Sequence, residues 1–311
     1  MSSRRNLPVG AMTGALLLVS GAVFGQPTQS SSAPLEMRLK EVVRALQGNP
    51  YLKNLSQQQR MDRVEFVISN TVFVLLHEIA HVMIDDWNLP VLGREEDAAD
   101  TFAALTMLKM GTSFSKRMLV HASKGWFLSD RRDRETGAEP FYYGEHNLSQ
   151  QRAYQIACLM VGSDPTKFKS LADEIKMPQS RQESCKEDYA KVSRSWDMVL
   201  KPHRRTPDQP ETNINVVYGD AEGNLEVFAR SFRSVRLLEA VAERSAADFA
   251  WPAPFTIEMR SCGRPEAAWD ANARTLRLCY ELAFDFAELY RAYVPAGPAP
   301  ALGQRRKAKS K

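Results

Sequence analysis

Cysteine and histidine are both scarce here, with four and five residues in a chain of 311. The cysteines stand at 158, 185, 262 and 279. None lies in a C-x-x-C arrangement, which argues against a cysteine-built zinc site and against a dithiol redox motif. Long hydrophobic runs are also missing. The longest uncharged apolar stretch, residues 9–24, falls short of the ~20 residues that a spanning helix needs. The formal charge of +4 is small, and its cations gather at the two ends. Arg4 and Arg5 lie in the first residues, and Arg305, Arg306, Lys307, Lys309 and Lys311 in the last seven. The body between is slightly acidic, so a broad nucleic-acid footprint is excluded. No internal repeat is visible, which removes solenoid architectures. Apolar residues at 44% and charged residues at 25% exclude disorder of the whole chain.

The first residues have the layout of an export signal: a short positive segment, the apolar run, and small residues before a cut between Gly25 and Gln26. Residues 1–25 are therefore read as a signal peptide. No cysteine follows the run, so a lipoprotein leader is unsupported. Ser3-Arg4-Arg5-Asn6-Leu7 resembles a twin-arginine signal, but two arginines are common in any leader, and the general secretory route is expected. Export to the periplasm or beyond suits an even cysteine count. Three pairings are possible; the local one, Cys158 with Cys185 and Cys262 with Cys279, is expected. The chain meets a membrane only if the leader stays uncleaved.

Residues 26–34 (QPTQSSSAP) read as a linker. Helical text follows from Leu35, with one long, nearly all-round apolar helix over 64–87 that ends at Asn88-Leu89-Pro90. Further helices are expected over 95–110, 149–161 and 183–200. A polar connector at 203–211 precedes a change of pattern. Segments 213–218 and 225–228 alternate as two strands of a hairpin. A helix is expected over 234–249, strands over 256–260 and 275–280, and a helix to Tyr293. One peptidase-sized domain, 35–293, is thus read as a helical part (35–202) and a mixed part (212–293). Residues 294–311 are read as a disordered basic tail. The fold class is α+β, with the helices early and a small sheet contributed largely by the C-terminal third.

The chemistry concentrates in His77-Glu78-Ile79-Ala80-His81. Residues four apart share a helix face, so two imidazoles at this spacing can grip one zinc ion, with Glu78 placed to act as general base on a water. Two unliganded histidines on so apolar a helix would be costly to bury. A third protein ligand is required. The metzincin pattern needs Gly at 84 and His at 87, where this chain has Ile84 and Trp87. Downstream lies Glu96-Asp97-Ala98-Ala99-Asp100, an E-x-x-A-D text at the start of the next helix.

Here the chain resembles the gluzincin peptidases, whose third ligand is a glutamate on a following helix with an aspartate four residues later. It looks closer still to a bacterial family of metallopeptidases of unassigned substrate. The segments that carry this are HEIAHVMIDDWNLPVLGREEDAADTFA, EHNLSQQRAYQIACLMVGSDP and CGRPEAAWDANARTLRLCYEL, spread between residues 77 and 282. The resemblance implies one zinc ion and a peptidase-like fold. Glu95 and Glu96 are about 100° apart around a helix, so only one can face the metal. Glu96 is chosen because Asp100, four residues on, shares its face and can hold a zinc-bound imidazole by its outer nitrogen. Asp97 should face solvent or cap. In small gluzincins a cleft-edging strand precedes the zinc helix; here the matching stretch follows it, and Thr275–Glu281 is expected beside the zinc helix.

His146 is a candidate to stabilise an oxyanion, against a plainer reading as a hydrogen-bonded structural residue. His121 and His203 are expected at the surface, and Tyr142, Tyr143 and Tyr280 in core or rim. Arg152 is expected as a helix-surface or ion-pair residue. The functional expectation is zinc-dependent hydrolysis of peptide bonds in the cell envelope or outside the cell, on a peptide or protein substrate. The alternatives are a zinc-stabilised binding protein without activity and an amidase of cell-wall peptides.

Overall fold

The computed structural model describes residues 32–49, 52 and 54–294. The leader at 1–25, most of the linker and nearly all of the basic tail lie outside them. Helix α1 (Ser32–Ala45) begins inside the stretch read as linker. Helix α2 (Gln57–Trp87) is the axis of the molecule. It starts two turns before the expected Val64, because Ser56 and Gln59 form a reciprocal capping box ahead of its polar first turns. It stops at Asn88, in the left-handed conformation at φ 46°, two residues before Pro90. By length and composition α2 could cross a membrane, but its most apolar stretch is packed inside the protein. Two of its buried polar side chains are satisfied within the helix: Ser69 and Thr71 donate to the carbonyls of Glu65 and Val67. Asn70 donates to the Phe66 carbonyl and across to that of His121.

Helices α3 (Glu95–Lys109), α4 (Ser113–Thr136), α5 (Ser149–Ser163), α6 (Lys169–Glu174) and α7 (Gln179–Leu200) complete the helical part. Helix α4 has no counterpart in the expectation above, yet it buries Phe114, Met118, Leu119, Ala122, Gly125 and Leu128 on one stripe. Its Gly125 meets Asn70, and a Cβ there would sit 2.0 Å from Asn70 Oδ1. The Cys158–Cys185 disulfide joins α5 to α7, where Gly162 is pressed on the Cys185 carbonyl.

The mixed part corrects one expectation. Strand β1 (Ile214–Tyr218) forms, but residues 225–228 are no strand. They open α8 (Glu226–Val235), whose buried Ala229, Phe232 and Val235 recur at helical spacing. Helix α9 (Leu237–Asp248) follows. These two helices make the crossover that a parallel pairing requires, because β1 lies parallel to β2 (Phe255–Arg260). Strand β3 (Ala267–Asp270), unforeseen, and β4 (Thr275–Cys279) complete a sheet of order β1-β2-β4-β3, with only β3 antiparallel. Helix α10 (Tyr280–Tyr293) closes the chain against α2 and α4. A disulfide ties Cys262 to Cys279.

The sheet docks on the last turns of α2. Trp269 of β3 donates to Asp85 at 2.9 Å, and Arg274 grips Asp86 with both terminal nitrogens at 2.7 and 2.9 Å. Segment 275–281 thus lies on the side of α2, but the edge strand is β3, with β4 one place inward. His203 is not a free surface residue, since it stacks on Trp87 with ring centroids 4.3 Å apart. His121 is largely buried beside Phe66, and burial pushes its pKa down to about 4.

Candidate metal centre

His77 and His81 emerge from the same face of α2 with their Nε2 atoms 3.1 Å apart. The tight turn after Asn88 returns the chain so that the first turn of α3 faces them. Ala98 and Ala99 are small, which lets α3 lie close to α2. Glu96 Oε2 then stands 3.0 Å from His77 Nε2 and 3.6 Å from His81 Nε2. Three donor atoms therefore form a triangle with edges of 3.0–3.6 Å. A tetrahedral ion with bonds of about 2.0–2.1 Å separates its ligand atoms by roughly 3.3–3.4 Å. Donor chemistry and spacing both fit one zinc-sized ion. Glu78 is buried next to this triangle, with a carboxylate oxygen within 4.8 Å of ring nitrogens of both histidines.

The two imidazoles are supported differently. His77 Nδ1 lies 2.9 Å from Asp100 Oδ1, and Asp100 is 1% exposed. Arg152 holds Asp100 through two bonds of 2.7 Å, and its guanidinium lies 3.7 Å above the Trp126 ring. Arg152 is thus a buried ion-pair residue, and the surface alternative for it is wrong. His81 Nδ1 lies 2.7 Å from Glu95 Oε1, on a carboxylate 47% exposed. The expectation singled out Glu96 to face the metal and assigned Glu95 no part. The geometry puts Glu95 on the outer nitrogen of His81.

His146 joins the group from the loop between α4 and α5, with Nε2 2.7 Å from Glu96 Oε2 and its ring stacked toward His77 at 6.0 Å. That loop is pinned. Arg94 donates to Asn147 Oδ1 at 2.8 Å, and Asn147 donates to Asp97 Oδ1 at 2.5 Å. Asp97 therefore clasps the loop, where solvent or a cap was expected. Nothing in the sequence marked Asn147 except its place beside His146. Arg152 could have been found only by asking what neutralises a buried Asp100.

The electrostatics converge on Glu96. Burial would raise its carboxyl, but hydrogen bonds from His146, His77 and His81 hold it well below the usual carboxylate range. Burial likewise disfavours charged imidazoles. Even so, Glu96 and Glu95 raise His81 to about 9, and Asp100 with Glu96 raises His77. Asp100 is lowered, since the Arg152 charge outweighs its desolvation. Positive charge is thus favoured between these side chains, whether carried by protons or by a divalent cation. Glu78 moves the other way: burial raises it, against the pull of His77 and His81. A raised carboxyl is the better proton acceptor near neutral pH.

Residues 40–200, just over half of the chain, match the model of a family described as "Putative metallopeptidase". Comparison with curated proteins and with solved structures finds no match. The family description suggests a metal-dependent peptidase, hence a hydrolase. The match spans the buried helix that carries His77, Glu78 and His81, a group able to hold a metal ion and consistent with a zincin-like site, and the chain belongs to this metallopeptidase family.

Proposed function

We propose that the protein is a zinc peptidase that cleaves peptide bonds in the cell envelope or outside the cell, with residues 35–293 acting as one catalytic domain. The observation that carries this reading is the triangle of His77, His81 and Glu96 donor atoms with Glu78 buried beside it. His77, His81 and Glu96 hold the ion. Bound there, zinc supplies Lewis-acid chemistry: it polarises the scissile carbonyl and acidifies a water. Glu78 takes the proton of the attacking water and delivers it to the leaving amine. Asp100 accepts from His77 Nδ1–H and so keeps Nε2 free to ligate. His146, half-exposed on its clasped loop, donates a hydrogen bond to the oxyanion of the tetrahedral intermediate. The two disulfides favour an oxidising compartment, in keeping with the export signal read in residues 1–25.

The test is Glu78→Gln, with zinc content and peptide turnover measured on one sample. Retained zinc with turnover abolished is the expected result. Turnover equal to wild type would overturn the mechanism. Loss of zinc would assign Glu78 to the ligand set instead.

A further inference from the structure

Few large apolar side chains are strongly exposed among the described residues, and Leu92, Phe141, Tyr142 and Tyr143 lie on the two loops that flank the site residues in the chain. Leu92 is fully exposed in the turn between the two ligand-bearing helices. Phe141, Tyr142 and Tyr143 are exposed on the loop that carries His146, Tyr143 to 85%. Scattered single exposures need no explanation, but a cluster beside a site does. The two loops are physically joined, because Asn147 bonds both Arg94 and Asp97. Chain length then bounds the distances. Tyr143 lies three residues from His146, so their Cα atoms are at most about 11 Å apart; Leu92, four residues from Glu96, is within about 14 Å. An extended peptide rises ~3.3 Å per residue, so both fall within about four residues of a scissile bond held at the centre. The aromatic loop is also internally ordered. Phe141 packs on Tyr143 with centroids 4.2 Å apart and the rings tilted by 59°, and Gly144 packs so tightly on Phe141 that a Cβ would sit 2.5 Å from its ring. Rings already held in place lose little freedom on binding.

Building on the peptidase reading, we propose that Leu92, Tyr142 and Tyr143 form an apolar wall that selects substrates carrying a bulky aliphatic or aromatic side chain within about four residues of the cleaved bond. The occupant is an extended peptide, because the wall adjoins the centre where such a chain would be cut. Leu92 and both tyrosines are strongly exposed, and the wall they form acts on substrate choice and not on the chemistry.

The experiment compares zinc-loaded wild type with Tyr142→Ser/Tyr143→Ser and with Leu92→Ser. Two peptides are used, one bearing Phe or Leu near its centre and one with Ser there. For the apolar peptide, KM should rise about tenfold in each variant while kcat stays within about twofold. The Ser peptide should show no such rise, and zinc content and melting temperature should match wild type. The same peptides, fluorescently labelled, are titrated into Glu78→Gln protein with and without the wall substitutions. There the apolar peptide should bind about tenfold more weakly without the wall. A wild type that cuts no peptide overturns the peptidase reading alone, and the titration still decides the wall. Equal affinity for both peptides, or an unchanged KM in the variants, overturns the wall. So does the finding that wild type, but not the variants, co-sediments with phosphatidylcholine–phosphatidylglycerol vesicles while peptide KM is unchanged; the exposed rings would then be a membrane anchor.

Discussion

His77 and His81 stand four residues apart on one helix, and both direct Nε2 at the same point. Behind them the protein differs. Behind His77 lies a chain of contacts, from Asp100 to Arg152, both buried, to the face of the half-buried Trp126. Behind His81 lies only Glu95, nearly half exposed. A charge-assisted bond in a low-dielectric interior is strong, and its loss leaves an unpaired buried charge. The same bond at the surface is screened and exchanges with water. In the inner half of the centre the histidine is therefore held by buried, charge-assisted bonds, whereas in the outer half it is held by a bond that water can reach.

The largest effect should come from the deepest partner. Arg152→Met removes the cation that neutralises Asp100 and should cost about 3–5 kcal/mol of folding stability, the usual penalty for breaking a buried pair. Urea denaturation of chelator-treated protein would measure it. A loss below ~1 kcal/mol would mean that Asp100 is solvated and that the two halves are alike.

Next comes the carboxylate both halves share. Glu96→Ala should weaken zinc binding by more than about 100-fold, beyond the ~10–100-fold typical of losing an outer partner. Competition with a chromophoric chelator reads this directly. If Glu95→Ala releases the metal and Glu96→Ala does not, the ligand assignment is displaced by one residue.

The middle effect sharpens the comparison itself. Asp100→Asn keeps the shape but weakens the bond to His77 Nδ1, so zinc affinity should fall about 10–100-fold. The smallest belongs to the outer half: Glu95→Gln should change affinity by no more than about fivefold, as for other exposed pairs. Equal losses in these two variants would erase the distinction between the inner and the outer histidine.

Legibility from sequence followed the range of the interactions. The H-E-x-x-H helix, its stop before Pro90 and the E-x-x-A-D helix are local patterns, so their residues could be read in order along the chain. The disulfide pairing was legible for a similar reason, since each bridge joins neighbouring elements. Residues 225–228 misled because a short apolar alternation is compatible with strand or helix, and only the burial of Ala229, Phe232 and Val235 decides between them. Strand β3 is four residues long, too short for any period to show.

By itself the sequence determined which candidate site residues share a helix face. Helical spacing puts His77 and His81 on one face, and Asp100 one turn beyond Glu96, whatever the rest of the chain does. Tertiary structure alone decided how those residues are held. The Arg152–Asp100 pair spans 52 positions, the Glu96–His146 contact 50, and the Trp269–Asp85 bond 184. No local pattern encodes a contact between elements so far apart. Each arises because burying a charge or an indole N–H demands a partner, and the packing of α2 against α3, α5 and the late sheet determines which side chain is near enough to supply it.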